Sequence, residues 1–161
     1  MYGNIWDIPG FQLTESLGKV GCRPSRSAKQ RFKEKLRKET SRKRPGTFEK
    51  ITIKINQITT GWINYYGVSY MKIFVKEIQQ WLNHRLRQLI WKRWKRVKTR
   101  YKMLRKYGID HTKAMKTANS RKGYWRISLS EVLHRAITTE RCERSTSQLM
   151  ASHLLDSSDD N

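Results

Sequence analysis

Between Arg23 and Arg126 the chain places 31 lysines and arginines against five acidic residues, Glu34, Glu39, Glu49, Glu77 and Asp110. A surplus of that size, in a 161-residue chain of net charge +22, narrows the possible folds more than any other feature. Like charges at this density repel one another in any compact structure, and a polyanionic partner is the simplest source of counter-charge. Apolar residues are scarce inside the block. They can close a core only if regular elements gather them on one face, and their spacing is helical. A mainly α fold follows.

After Arg23-Pro24, Ser25 reads as the N-cap of a first helix running to about Thr40. Ala28, Phe32 and Leu36 recur every four residues on one face, and cations cover the rest. Thr47 caps a second helix in which Ile51, Ile55, Ile58, Trp62 and Tyr65 form one stripe. Gly61 lies inside that helix at a cost of roughly 1 kcal/mol relative to alanine, which close approach of a neighbouring helix would explain. Gly67 is the expected stop. A third helix spans about Tyr70 to Lys98, its core face carrying Phe74, Ile78, Leu82, Leu86 and Leu89 or Ile90. Short links make these three an antiparallel bundle. Short helices are expected over Tyr101–Tyr107 and Thr112–Ala118, followed by a basic turn from Asn119 to Arg126 and a last helix capped by Ser128 or Ser130. Residues 1–22 read as a hairpin remnant or tail, since Phe11–Thr14 alternates between turn signals. Residues 140–161 read as a disordered acidic tail ending in Asp156-Ser157-Ser158-Asp159-Asp160-Asn161.

The sharpest candidate for chemistry is Trp91-Lys92-Arg93-Trp94-Lys95-Arg96. Two tryptophans at i, i+3 share a helix face while cations fill the others. RNA binding uses that pairing, because cations neutralise phosphates and flat side chains stack on exposed bases. For the two tryptophans themselves, the reading as core anchors is the stronger one. From His84 to Lys106 no acidic residue occurs, whereas an ordinary solvated face mixes signs. The candidate RNA-contacting residues are Arg31, Lys33, Lys35, Arg37 and Lys38 on the first helix and Arg42 and Lys43 after it. On and beyond the third helix they are Arg85, Arg87, Trp91, Lys92, Arg93, Trp94, Lys95, Arg96, Lys98, Arg100 and Lys102. Arg121, Lys122, Trp125 and Arg126 complete the set in the basic turn.

No enzyme signature emerges. His84, His111, His134 and His153 are dispersed, and with Cys22 and Cys142 they make no metal-ligand spacing. Gly18-Lys19-Val20-Gly21 lacks the pattern of a phosphate-cradling loop. No acidic pair suits two-metal nucleotidyl transfer. The expectation is a protein with no catalytic residue, metal, cofactor or small-molecule substrate. Two cysteines about 120 residues apart fit a reducing compartment. With no secretory signal and no apolar run of membrane-spanning length, a cytoplasmic location away from membranes is expected.

Five blocks in order carry a resemblance. They are Arg23-Pro24-Ser25 with Arg31–Arg37; Ile55-Asn56-Gln57 with Gly61-Trp62-Ile63-Asn64-Tyr65-Tyr66-Gly67; Trp81–Arg87 with Ile90–Lys95; Leu104 with Gly108; and Ala118–Ser128. Together they resemble the maturase-specific region of group II intron reverse transcriptases, over roughly residues 10 to 140. The resemblance implies a thumb-like helical bundle over 23–90 and a helical module similar to maturase domain X over 91–139. It further implies binding to structured group II intron RNA that favours its splicing-active fold. A separate polymerase half of the same family is a further candidate partner. The fingers, palm and zinc-containing endonuclease of the wider family have no counterpart in the sequence, so their activities are not carried over. The segment from Glu140 to Ser145 departs from the family's expected closing helix. Two other readings compete: a truncated remnant without specific function, and a generic basic nucleic-acid-binding protein.

Overall fold

The computed structural model describes residues 10–16, 19–67 and 71–138. The expected acidic tail lies outside these residues. Among them the chain is mainly helical, with one short N-terminal hairpin. Strand β1 (Phe11–Ser16) pairs antiparallel with β2 (Lys19–Pro24), with Phe11 opposite Pro24 and Ser16 opposite Lys19. The hairpin is docked on the helices. The Phe11 ring lies 5.5 Å from Tyr65 and 4.9 Å from Tyr66. Gly10 enters the hairpin at φ +90°, a conformation that favours glycine, and a side chain there would also have to displace the Tyr66 hydroxyl.

The first two helices begin where short hydroxyl side chains cap them. Helix α1 (Arg26–Glu39) starts at Ser25, whose Oγ accepts from the Ala28 N–H at 3.2 Å. Helix α2 (Phe48–Tyr66) starts at Thr47, whose Oγ1 accepts from the Lys50 N–H at 3.3 Å, and it ends at Gly67 as expected. Phe32, Trp62 and Phe74 tie three helices together: Phe32 stacks on Trp62 at 4.4 Å, and Trp62 meets Phe74 at 5.4 Å. The α2 stripe departs from expectation. Ile51, Thr52, Ile55, Thr59 and Ile63 are buried, while Tyr65 is exposed, and a methyl group added at Gly61 would meet nothing within 4 Å. The close helix approach expected at Gly61 does not occur, because the buried face turns through 55, 59 and 63 and leaves Gly61 on the solvent side.

Helix α3 (Lys72–Arg93) is the spine. It buries Val75, Ile78, Leu82, Leu86, Leu89 and Trp91, and also the polar Asn83, His84, Arg87 and Gln88. A helix buried this broadly is covered from more than one side. It ends at Arg93, short of the expected Lys98. Trp94 leaves the helix at ψ 67°, which brings its ring into the core, 5.9 Å from Trp91 and 6.0 Å from Tyr107. The chain restarts as α4 (Val97–Lys106). Helix α4 closes in a Schellman turn: Gly108 at φ +79° donates to Arg105 and Ile109 donates to Leu104. Leu104 and Ile109 are both buried there.

Asp110 caps α5 (His111–Ala118) by accepting from the Thr112 N–H at 3.0 Å. The expected basic turn is shorter than the sequence implied, because Tyr124–Ser128 forms a helical turn, α6. Ser130 then caps α7 (Glu131–Ala136). One cluster of buried apolar residues runs from Phe32 to Ile137, so the core crosses residue 90, where the expected module boundary falls inside α3.

Two substitutions separate surface from spine. Gly61→Ala should stabilise by up to about 1 kcal/mol, since the site is helical, exposed and unobstructed. Leu82→Ala, at a fully buried position, should cost about 2–5 kcal/mol. Urea unfolding midpoints read both, and a destabilising Gly61→Ala would contradict the open face assigned to it.

Candidate nucleic-acid interface

The candidate cations divide into two sets. Arg31, Lys33, Lys35, Arg37 and Lys38 on α1, Arg42 and Lys43 in the α1–α2 loop, and Lys95, Arg96, Lys98 and Lys102 around the α3–α4 junction are exposed. Arg121, Lys122 and Arg126 are exposed as well, and Trp125 is 44% exposed. Glu34 is the one exposed acidic side chain on α1, because Glu39 is buried and paired with Arg44.

The second set is engaged by hydrogen bonds within the chain, although only Arg87 is buried and Arg93 is itself exposed. Arg85 Nε donates to the Thr40 hydroxyl at 2.5 Å, and its Nη2 donates to the Thr40 and Arg37 carbonyls. Lys92 donates to the Arg42 carbonyl, and Arg93 donates to the Gly46 carbonyl at 2.8 Å. Arg87 is buried and donates to the Ile137 carbonyl at 2.9 Å. Arg100 donates to the Trp94 carbonyl at 2.8 Å, satisfying an orphan group at the end of α3, and its guanidinium lies 4.8 Å from the Trp91 ring centre.

Trp91 and Trp94, read in the sequence as candidate base-stacking residues, are 1% and 7% exposed. Their faces are occupied by each other, Tyr107 and Arg100, so the structure assigns both to the core. Arg87 is likewise removed from the accessible candidates by its burial. The break at Trp94 also corrects the picture of a single helix with cations on its outer faces. Lys92 and Arg93 end α3, Lys95 and Arg96 lie in the connection, and Lys98 belongs to α4.

These contacts join distant segments into one surface. Through Arg85, Lys92 and Arg93, α3 clamps the Arg-rich loop after α1. Arg42 in that loop sits 5.7 Å from the Tyr124 ring centre. Next to it an open cleft of about 640 Å³ is lined by Trp91, Val97, Arg100, Asn119, Arg121 and Tyr124, among others. Burial holds the Arg85 guanidinium below its ordinary pKa, and the like charges of Arg37 and Arg42 push the same way. That repulsion marks how closely cations gather here. The sequence reading missed Tyr124 and Asn119. Tyr124 stood beside the nominated Trp125, but only the α6 turn shows which of the two faces the cleft.

On the other side of α3, the His84 ring packs on Trp125 at 3.6 Å between centres, and its Nε2 is 3.1 Å from the Trp125 carbonyl oxygen. Burial pulls the His84 pKa down, partly countered by that carbonyl and reinforced by Arg87 and Arg85. Burial also lowers His134, with Arg87 and His84 adding to it. A lowered histidine pKa means that, between the folded and the unfolded pKa, the folded chain binds fewer protons than the unfolded one. The stability these residues give is therefore complete above about pH 6.5 and is lost as pH falls below it. Urea midpoints should drop across that window, and His84→Gln should shrink the drop. A flat profile would mean that neither ring is held neutral by the fold.

No curated protein matches the chain. No helix among the described residues is long and apolar enough to cross a membrane. Residues 29–108, from α1 through the Schellman glycine that closes α4, match the family described as "Group II intron, maturase-specific domain". The family's segment contains the clamped loop, the α3 spine and the tryptophan break, and by it this chain belongs to the group II intron maturase-specific family.

Proposed function

We propose that this protein binds folded group II intron RNA and favours the splicing-active fold of that RNA, by contact rather than by catalysis. The observation that carries the reading is the acid-poor surface of exposed cations on α1, the clamped loop, the α3–α4 junction and the 119–126 turn, in a chain of the maturase-specific family. Those cations lie on several elements held in fixed relation by hydrogen bonds. A rigid cationic surface selects among RNA shapes, whereas a flexible basic tail neutralises any phosphate alike. Within this reading residues 23–90 act as a thumb-like bundle and 91–139 as a domain X-like module, sharing one core and presenting one surface.

The test is binding of the purified chain to a folded group II intron RNA and to a scrambled RNA of equal length, across a salt series. The intron should be preferred by more than about tenfold, roughly 1.4 kcal/mol, near physiological salt. Equal binding by both RNAs, with both curves collapsing in salt, would leave only charge and sink the proposal. Alanine at Lys95, Arg96, Lys98 and Lys102 should weaken binding and flatten the salt slope by up to about 0.9 per cation lost, with helix content unchanged. An unchanged slope would remove the α3–α4 junction from the interface.

A further inference from the structure

The cleft beside the 119–124 turn combines cations with apolar side chains. Val97 and Tyr124 give it accessible apolar wall, with the buried Trp91 and Ala118 at its base, while Arg100, Arg121 and Lys122 line it with charge. No carboxylate lines it. Two further clefts among the described residues differ on this point: one is lined in part by Glu77, the other by Asp110 and Glu131, and carboxylates there would repel a phosphate. The volume, about 640 Å³, lies within the range of roughly 300–1,000 Å³ typical of pockets for small organic groups.

The walls are fixed. The Ser120 N–H donates to the Thr117 carbonyl, the Asn119 amide to the Met115 carbonyl at 2.9 Å, and the Lys122 N–H to Ser120 Oγ at 3.3 Å. Arg100 is anchored through Nε on the Trp94 carbonyl. Tyr124 is half-buried, with the Arg42 guanidinium over its ring. A flat apolar group with an attached anion is the ligand such a site complements: a ring lies against aromatic and guanidinium planes while the anion meets Arg121 and Lys122. A nucleotide within a helix cannot offer its ring, since both faces are stacked.

The geometry points to this cleft as the seat of one unpaired nucleotide of the bound RNA, its base against Tyr124 and its phosphate at Arg121 and Lys122. The inference rests on the RNA-binding reading above and adds the class of RNA feature the surface recognises.

The experiment compares two RNA hairpins of equal length near physiological salt, one fully paired and one with a single unpaired 2-aminopurine. The bulged hairpin should bind at least about fivefold more tightly, and its 2-aminopurine emission should be quenched on binding. Val97→Trp, at an exposed wall position, fills the cleft without changing any charge. It should abolish the preference and leave affinity for the paired hairpin as it was. Tyr124→Ala should abolish quenching. Equal binding of the two hairpins, or a Val97→Trp variant that keeps the preference, overturns the cleft assignment and leaves the cationic surface standing. Adenosine monophosphate binding as tightly as the bulged hairpin would overturn it in favour of a free-nucleotide site. If neither hairpin binds, the RNA reading itself fails.

Discussion

Carboxylates are too few in this chain to satisfy its cations, and main-chain carbonyls take their place. Five acidic residues serve the whole basic block, and one of them, Glu39, pairs with Arg44. Arg85, Arg87, Lys92, Arg93, Arg100 and Arg105 instead donate to carbonyls at helix ends and loops. A hydrogen bond from a charged donor contributes up to about 1.5–3 kcal/mol where it is buried, as at Arg87, and less where water competes for the same groups, as at Lys92 and Arg93. Aromatic rings supply the other substitute. Six cation–ring contacts occur among the described residues, where about two would be expected for their number. Trp81 alone lies under both Lys33 and Arg85.

This solution shapes the surface. Three of the carbonyls that accept from α3, those of Thr40, Arg42 and Gly46, belong to the α1–α2 connection, which is itself Arg- and Lys-rich. Holding that loop by its backbone leaves its side chains Arg42 and Lys43 outward. Structural cations thereby position accessible ones, and the close packing of like charges is the consequence. Burial is the main cause of the depressed Arg85 pKa, and the like charges of Arg37 and Arg42 add to it. A polyanion bound across the same surface would relieve the repulsion among these like charges, so RNA binding and folding stability should be thermodynamically linked.

The helical fold was legible because the scarce apolar residues keep a strict period and because Ser25, Thr47, Ser130 and the stops at Gly67 and Gly108 are local signals. The surface of α1 was legible for the same reason: three apolar positions leave no doubt about which sides face water. The α3–α4 region was not. Its pattern of cations and tryptophans fits one continuous helix, and nothing local announces that burying Trp94 requires the backbone to turn. The stripe on α2 is right at Ile51, Ile55, Ile58 and Trp62, which are buried or pack against the core, and wrong at Tyr65, since the rows through 58, 62 and 65 and through 55, 59 and 63 are adjacent and only the neighbours decide where the buried face ends. Which cations are engaged could not be read at all. Arg87 and Lys95 look alike in sequence, and their partners lie far away along the chain.

That division changes how the Trp91–Arg96 segment should be read. Taken as a basic motif, its four cations look equivalent, and losing any of them would be scored as losing a phosphate contact. In the structure Lys92 and Arg93 hold the α1–α2 loop, while Lys95 and Arg96 are exposed in the connection. Removing either of the first pair releases Arg42 and Lys43 from their fixed positions and disturbs the Tyr124 side of the cleft. The affinity lost would then come from a disordered surface, and part of it would return when the loop is stiffened by other means. Removing either of the second pair subtracts charge from an intact surface. The two classes differ in salt dependence, because only the loss of a direct phosphate contact releases fewer counterions, and in stability, because only the first pair joins separate elements of the fold.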